Sequence, residues 1–230
     1  MQAARLRPFG HRGGAAPPPD DVGLGDLRFR AVMAPHDWAG LPEAVRRRFR
    51  RRVAHGRTVV YVGEVIETEL SVAGRLLGEA ARLVGSPFPT STDGGVPAVV
   101  SVTEDFATGG QVWTRLYARR SGFPQVIHSS KRFGGPTGLE EHVGCGVGMT
   151  LRVDTEDGAL VFRSDRYFVD VFGRRLWLPA VLTPGAITVA HAECGDGRFT
   201  FTLDVTHPRL GQLVRQRAVF REVATKEDLP

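Results

Sequence analysis

Three polar side chains interrupt apolar faces of the strands that the sequence predicts. Glu141 continues the alternation that begins at Leu139, and His191 continues the one that contains Val189, so we expect both to point inward. Arg115 lies on a third face of this kind. Burying an isolated charge costs roughly several kcal/mol, so these groups must pair with each other or line a solvated pocket.

Two interpretations of these residues are open. In the first, Arg115 and Glu141 form a structural ion pair, and His191 is a core side chain with satisfied hydrogen bonds. In the second, the polar groups fix the head of a ligand, while aromatic residues and a helix hold its apolar body. The candidate ligand-binding residues are Trp113, Arg115, Tyr117, Glu141, His191, Phe199 and Phe201. A carboxylate with an imidazole can also transfer protons, so an enzyme using Glu141 and His191 is an alternative.

A doubled His-x-x-Cys spacing, His142 to Cys145 and His191 to Cys194, contains the donor set of a tetrahedral zinc site. Residues i and i+3 on a strand point to opposite faces, however, so the spacing favours coincidence. The glycine-rich segment 144–148 precedes a strand instead of a helix, which predicts a bulge and not a phosphate cradle. We therefore predict no metal and no cofactor.

An arginine-rich run is the remaining charged feature. Its basic residues are Arg46, Arg47, Arg48, Arg50, Arg51 and Arg52. It is either a solvated helix face or a surface patch for phosphate-bearing partners or anionic lipid, worth up to about 1 kcal/mol per basic residue near such a surface. We predict no nucleic-acid partner, because no aromatic stacking platform adjoins the run.

Two helices precede the strands that must position these residues. The first extends from about Pro42 to Gly56. Its apolar stripe is Leu41, Val45, Phe49 and Val53. The second, about 71–84, begins at the N-cap Ser71 and stops at Gly85. Its apolar side is Val72, Leu76, Leu77, Ala80 and Leu83. Residues 58–67 between the helices are typical of a strand.

After Pro89 the apolar period changes from 3.6 to 2, which indicates antiparallel strands with one buried face. Asp157-Gly158 and Asp196-Gly197 are hairpin signals. About nine strands in meander order predict an α+β fold, in which a large curved antiparallel sheet wraps the 71–84 helix as a β-clam or half-barrel. The segment Leu176–Pro184 is expected to be a loop or short lid.

The composition bounds the class of protein. The chain has 230 residues, of which 42% are hydrophobic and 24% charged, with a net charge of +5. This balance is globular, and we expect a tail at 1–26, one domain at 27–222 and a second tail at 223–230. Two cysteines form no disulfide scaffold, and neither a spanning helix nor a secretory leader is evident, so we expect a cytoplasmic protein.

Three segments carry a family resemblance: Trp113-Thr114-Arg115, Leu139-Glu140-Glu141 and Arg175–Pro184. With these, residues 27–222 resemble an uncharacterised bacterial family known as a domain of unknown function. The resemblance implies an accessory domain, found alone or C-terminal to saccharopine-dehydrogenase-like Rossmann oxidoreductase domains. It supplies no catalytic residues, and it implies that any oxidoreductase partner acts in trans.

These observations favour a binding or accessory module that holds a hydrophobic small molecule inside the curved sheet. The alternatives are the Glu141/His191 enzyme and a structural partner of a separate oxidoreductase.

Overall fold

The computed structural model describes residues 27–54, 56–85 and 87–223, so the predicted tail 1–26 and all but Val223 of the tail 223–230 lie outside the described residues. The helices are α1 Leu27–Ala31, α2 Pro35–Gly40, α3 Glu43–Arg50 and α4 Val72–Ala80, with short 3₁₀ helices at Ala81–Val84 and Ala180–Leu182. The strands are β1 Thr58–Leu70, β2 Val96–Asp105, β3 Gly110–Tyr117, β4 Gln125–Arg132, β5 Glu140–Gly144, β6 Val147–Glu156, β7 Ala159–Val171, β8 Arg174–Trp177, β9 Ala186–Gly195, β10 Arg198–His207 and β11 Gly211–Glu222.

Ten strands form a closed antiparallel barrel. Neighbours follow the chain from β1 to β7, continue through β9, β10 and β11, and return to β1; β8 pairs with β7 outside this ring. The predicted large curved antiparallel sheet is confirmed, but it is closed instead of an open half-barrel, it has eleven strands instead of about nine, and its short helices make the described fold mostly β instead of α+β. Closure depends on pairing β1 with β11, where Tyr61 lies opposite Glu222. This pairing is non-local, so periodicity could not reveal it, and it removes the exposed edges of a large sheet.

Both predicted Asp-Gly hairpins are confirmed. Asp157 and Gly158 have φ values of 49° and 76°, and Asp196 and Gly197 have values of 54° and 67°. Two successive positive φ angles match the right-handed twist of the flanking strands in a two-residue hairpin. These turns connect β6 to β7 and β9 to β10.

Helices α1 to α3 close one end of the barrel, called here the plugged end. The predicted helix is shorter than expected, since α3 ends at Arg50 and not near Gly56. All four residues of the predicted apolar stripe are buried, with Val45 and Phe49 on α3 and Leu41 and Val53 flanking it. The Phe29 ring packs on Phe49 with centroids 5.5 Å apart, and on Phe162 of the barrel wall at 5.9 Å. This aromatic packing fills the barrel from the plugged end.

Helix α4 lies across the opposite end, called here the open end. The prediction that the sheet wraps this helix is wrong. A Cβ on Gly74 would stand 1.9 Å from the carbonyl oxygen of Leu213 in β11, so the helix packs through its glycine face. Its buried residues are Gly74 and Gly78, followed by Ala81 of the adjoining 3₁₀ helix. The helix lies outside the barrel interior, and its predicted apolar stripe is largely exposed.

The predicted loop Leu176–Pro184 is partly ordered secondary structure. Its first residues belong to β8, and Ala180–Leu182 form a 3₁₀ helix at the open end. Arg175 holds β8 in place through ion pairs with Asp170 and Glu140. No helix in the part of the chain that the structure describes has both the length and the apolarity needed to cross a membrane.

Candidate functional site

A cavity of about 290 Å³ lies inside the barrel at the open end. Its lining is predominantly apolar and includes Leu77, Val84, Phe88, Ile127, Val147 and Leu182. Leu182 is also 68% exposed, so the cavity communicates with solvent beside the 180–182 helix. The volume is at the lower end of the range for small-molecule sites, which is about 300–1,000 Å³.

A cluster of four polar side chains, called here the polar cluster, lies on the inner faces of β3, β4 and β5: Arg115, Ser129, Lys131 and Glu141. Ser129 Oγ donates a hydrogen bond to Glu141 Oε1 at 2.6 Å, and Lys131 Nζ donates to Oε2 at 3.0 Å. Arg115 Nη1 donates to Ser129 Oγ at 3.3 Å, while its Nη2 lies 3.9 Å from Glu141. Arg115, Ser129 and Glu141 all line the cavity.

The electrostatics of the polar cluster favour an ionised Glu141. Burial alone would raise its pKa, but Lys131, Arg115 and the Ser129 hydrogen bond outweigh burial and lower it. Burial, followed by repulsion from Arg115, lowers the pKa of Lys131 against the attraction of Glu141. The cluster therefore combines two basic side chains with one carboxylate.

His191 lies deeper, within a shell of aromatic rings. Five ring centroids lie within 6.0 Å of its own, those of Phe49, Trp113, Phe162, Phe199 and Phe201. Its Nδ1 is buried without a hydrogen-bond partner among the described residues. Burial, with Arg48, Lys131 and Arg115 adding repulsion, places the pKa of His191 well below its usual value. The imidazole is therefore neutral.

The structure divides the seven predicted ligand-binding residues into two groups. Arg115, Tyr117, Glu141 and Phe201 line the cavity, whereas Trp113, His191 and Phe199 are core residues outside its lining. The hydrogen bonds of Glu141 go to Ser129 and Lys131, so His191 is not its partner among the described residues. The predicted Arg115–Glu141 pair is present at 3.9 Å, but Lys131 is the closer cation.

Sequence reasoning missed Ser129 and Lys131. Both are buried, and Lys131 is only 2% exposed. They follow the buried Ile127 at two-residue intervals along β4, in alternation with more exposed residues. That alternation was the available signal, because residues two apart on a strand share a face. A lysine in such a position implies a buried carboxylate partner, which Glu141 supplies.

Some arginines of the run at α3 form ion pairs at the plugged end, and others are exposed to solvent. Arg48 pairs with Glu193 at 3.1 Å and covers the Phe199 ring, and Arg51 pairs with Glu222. Arg46 pairs with Glu43. The exposed members are Arg47, Arg50 and Arg52. A lipid or phosphate role for this run stays a prediction.

The two His-x-x-Cys spacings lie far apart in the fold. Cys145 contacts the carbonyl of Leu83 at the open end, whereas Cys194 follows Glu193, which pairs with α3 at the plugged end. Both cysteines are exposed. Across residues 27–54, 56–85 and 87–223, no three His, Cys, Asp or Glu side chains are placed to hold a metal ion together.

A closed antiparallel barrel with one plugged end and an apolar cavity at the other belongs to the class of barrels that can enclose one small ligand. The chain itself belongs to the family described as "Domain of unknown function (DUF4166)", whose model matches residues 41–220. The matched segment begins two residues before α3 and ends within β11. Searches of curated proteins and of solved structures found no significant match.

Proposed function

We propose that the protein binds a hydrophobic small molecule inside the barrel. The observation that carries this proposal is the apolar cavity of about 290 Å³ that reaches solvent beside Leu182. A core formed only for stability would be packed to crystal-like density and would leave few voids larger than a water molecule. Apolar walls with a few convergent polar groups are the usual composition of a ligand site.

Native mass spectrometry of the purified chain, before and after delipidation, tests this function. We expect a mass adduct that delipidation removes, and we expect the neutral fluorophore N-phenyl-1-naphthylamine to bind the delipidated protein. Ile127 lines the cavity and is 3% exposed, whereas its neighbour Val126 is 46% exposed on the outer face of β4. Ile127→Trp should weaken fluorophore binding at least tenfold, and Val126→Trp should leave it unchanged.

Val143→Phe provides a second cavity-filling variant if Ile127→Trp fails to fold, because Val143 also lines the cavity and is only half-buried. Absence of both an adduct and fluorophore binding would exclude the proposal. Equal binding by the inward and outward variants would show that the fluorophore occupies another surface.

The Rossmann association, the bacterial setting and the cytoplasmic location implied at the sequence level stay predictions. An oxidoreductase partner is tested by affinity capture from the native host. Acid–base catalysis by Glu141 and His191 is the less favoured alternative, because Glu141 is bound to Lys131 and the imidazole is enclosed by aromatic rings.

A further inference from the structure

The polar cluster places two basic side chains, Arg115 and Lys131, around one carboxylate, that of Glu141. The charged groups that act on Glu141 are Lys131 and Arg115, and those that act on Lys131 are Glu141 and Arg115. The side chains of Arg115, Lys131 and Glu141 are 11%, 3% and 9% exposed. Because a buried base is stabilised by a nearby anion, a second carboxylate beside the two bases would be favoured.

Arg115 lies farther from Glu141 than Lys131 does and retains donors for a further hydrogen bond. Lys131 and Ser129 both donate to Glu141, which occupies its two carboxylate oxygens at hydrogen-bond distance. Arg115 has five N–H groups, and its hydrogen bond among the described residues is the single one to Ser129. Its side chain lines the cavity. A guanidinium presents paired donors that match the two oxygens of a carboxylate.

The rest of the cavity fixes the direction of a bound amphiphile. The polar cluster lies on the barrel wall, while Leu77, Val84 and Leu182 line the cavity where α4 and the 180–182 helix meet solvent. We propose that the cavity selects amphiphiles with one carboxylate group, which binds Arg115 inside the barrel while the hydrocarbon tail extends toward the open end. The assignment rests on the proposed function and names its class of ligand.

Matched twelve-carbon ligands test the assignment. Dodecanoic acid, dodecan-1-ol and methyl dodecanoate are titrated against the delipidated protein at pH 7.5, with displacement of N-phenyl-1-naphthylamine as the readout. We expect the acid to bind at least tenfold more tightly than the alcohol or the ester. Arg115→Met should reduce this preference to less than twofold while alcohol affinity stays within threefold. Arg163→Met, on the exposed outer face of β7, is the control and should retain the preference.

Glu141→Gln should change the acid preference in the direction opposite to Arg115→Met. It removes the carboxylate that pairs with Lys131 and Arg115, so the preference for the acid over the alcohol should increase at least threefold. Equal binding of acid and alcohol by the unmodified protein would overturn the carboxylate assignment and leave the proposed function standing. Failure of all three ligands and of the fluorophore would overturn both. A preference that survives in Arg115→Met, or that falls in Glu141→Gln, would also overturn the assignment.

A second inference rests on the outer surface of the open end. Apolar side chains surround the mouth of the cavity there with high exposure. They are Val72 at 79%, Leu76 at 69%, Leu83 at 84%, Val181 at 73%, Leu182 at 68% and Leu210 at 59%. We call this set the apolar rim. Clustered exposed apolar residues mark an interaction surface, whereas singly scattered ones need no explanation.

The charges beside the apolar rim identify its partner. Arg75, Arg82 and Arg209 are exposed on the same elements, and the one acid of α4, Glu79, pairs with Arg82 at 2.8 Å. Apolar residues flanked by excess arginine are typical of surfaces that insert at the headgroup level of an anionic bilayer. We infer that the open end docks on anionic membranes, so that an apolar ligand can enter the cavity without crossing water.

Vesicle flotation tests this docking, with phosphatidylcholine vesicles compared with vesicles that also contain 30% phosphatidylglycerol. We expect binding to the anionic vesicles and at least a fivefold loss in the double variant L76E/L83E. Val126→Glu, on the barrel wall, should bind as the unmodified chain does. The triple variant R47Q/R50Q/R52Q, at the plugged end, should also retain binding.

Absence of flotation, or unchanged flotation of L76E/L83E, would overturn the docking. Loss of flotation in R47Q/R50Q/R52Q alone would assign membrane contact to α3 and overturn it as well. Self-association that the L76E/L83E variant abolishes, with no flotation, would assign the rim to a second copy of the chain.

Discussion

Removal of the Lys131 ammonium should lower the free energy of unfolding more than removal of a comparable charge on the surface. Its Nζ lies 3.0 Å from Glu141 Oε2, and the two side chains are 3% and 9% exposed. Lys131→Met leaves the carboxylate buried with Ser129 at 2.6 Å and Arg115 at 3.9 Å. Removing one partner of a buried ion pair costs about 3–5 kcal/mol of stability. Because Ser129 and Arg115 still contact Glu141, we expect a loss near the lower value, about 3 kcal/mol.

Urea denaturation followed by tryptophan fluorescence measures this loss. With an m-value near 3 kcal/mol/M, the midpoint should fall by about 1 M. The double variant K131M/E141Q removes both charges and should be no less stable than either single variant. Arg152→Met is the control, because Arg152 pairs with Asp165 at 2.9 Å but is 65% exposed, and it should change stability by less than about 1 kcal/mol.

Two results would refute this reasoning. If the double variant lost the sum of the two single losses, Lys131 and Glu141 would be energetically independent despite their distance. If Lys131→Met were no more destabilising than Arg152→Met, burial would not determine the strength of the pair. In either case the charge balance of the polar cluster would need another explanation.

Three further outcomes are expected. Because the pKa of His191 is lowered in the folded state, the unfolded state binds the proton more readily, and the free energy of unfolding should fall by about 1 kcal/mol between pH 7 and pH 5.5. Calorimetry of His191→Leu should show that this pH-dependent loss is removed. An unchanged loss in that variant would contradict the prediction. Gly74→Ala should reduce the free energy of unfolding by about 1–3 kcal/mol, because the new methyl group meets the backbone of β11. Gly40→Ala is the control and should not destabilise the protein, because the space around Gly40 is open. Equal melting temperatures of the two variants would show that α4 shifts freely. In urea denaturation, Phe49→Ala should reduce the free energy of unfolding by about 3–5 kcal/mol. Phe123 is 91% exposed, so Phe123→Ala should change it very little. A small loss for Phe49→Ala would mean that the helices at the plugged end add little to stability.

Local patterns predicted the elements that depend on near neighbours. Val45 and Phe49 are buried as expected, because i, i+4 spacing places them on one face of α3, and the flanking Leu41 and Val53 are buried as well. Alternation placed Glu141 and His191 inside the barrel, because strand side chains repeat every two residues. Neither pattern contains the distance between elements, so it could not show that Glu141 contacts Lys131 and not His191.

The sequence by itself determined which side chains face inward and where the hairpins turn, since both follow from backbone periodicity and from φ preferences. Tertiary structure decided that the sheet closes, because β1 and β11 are separated by almost the whole domain. It also decided that α4 covers the open end through Gly74 and leaves Leu76 exposed, because a glycine lets the helix backbone approach β11 closely. The cavity arises from that closure.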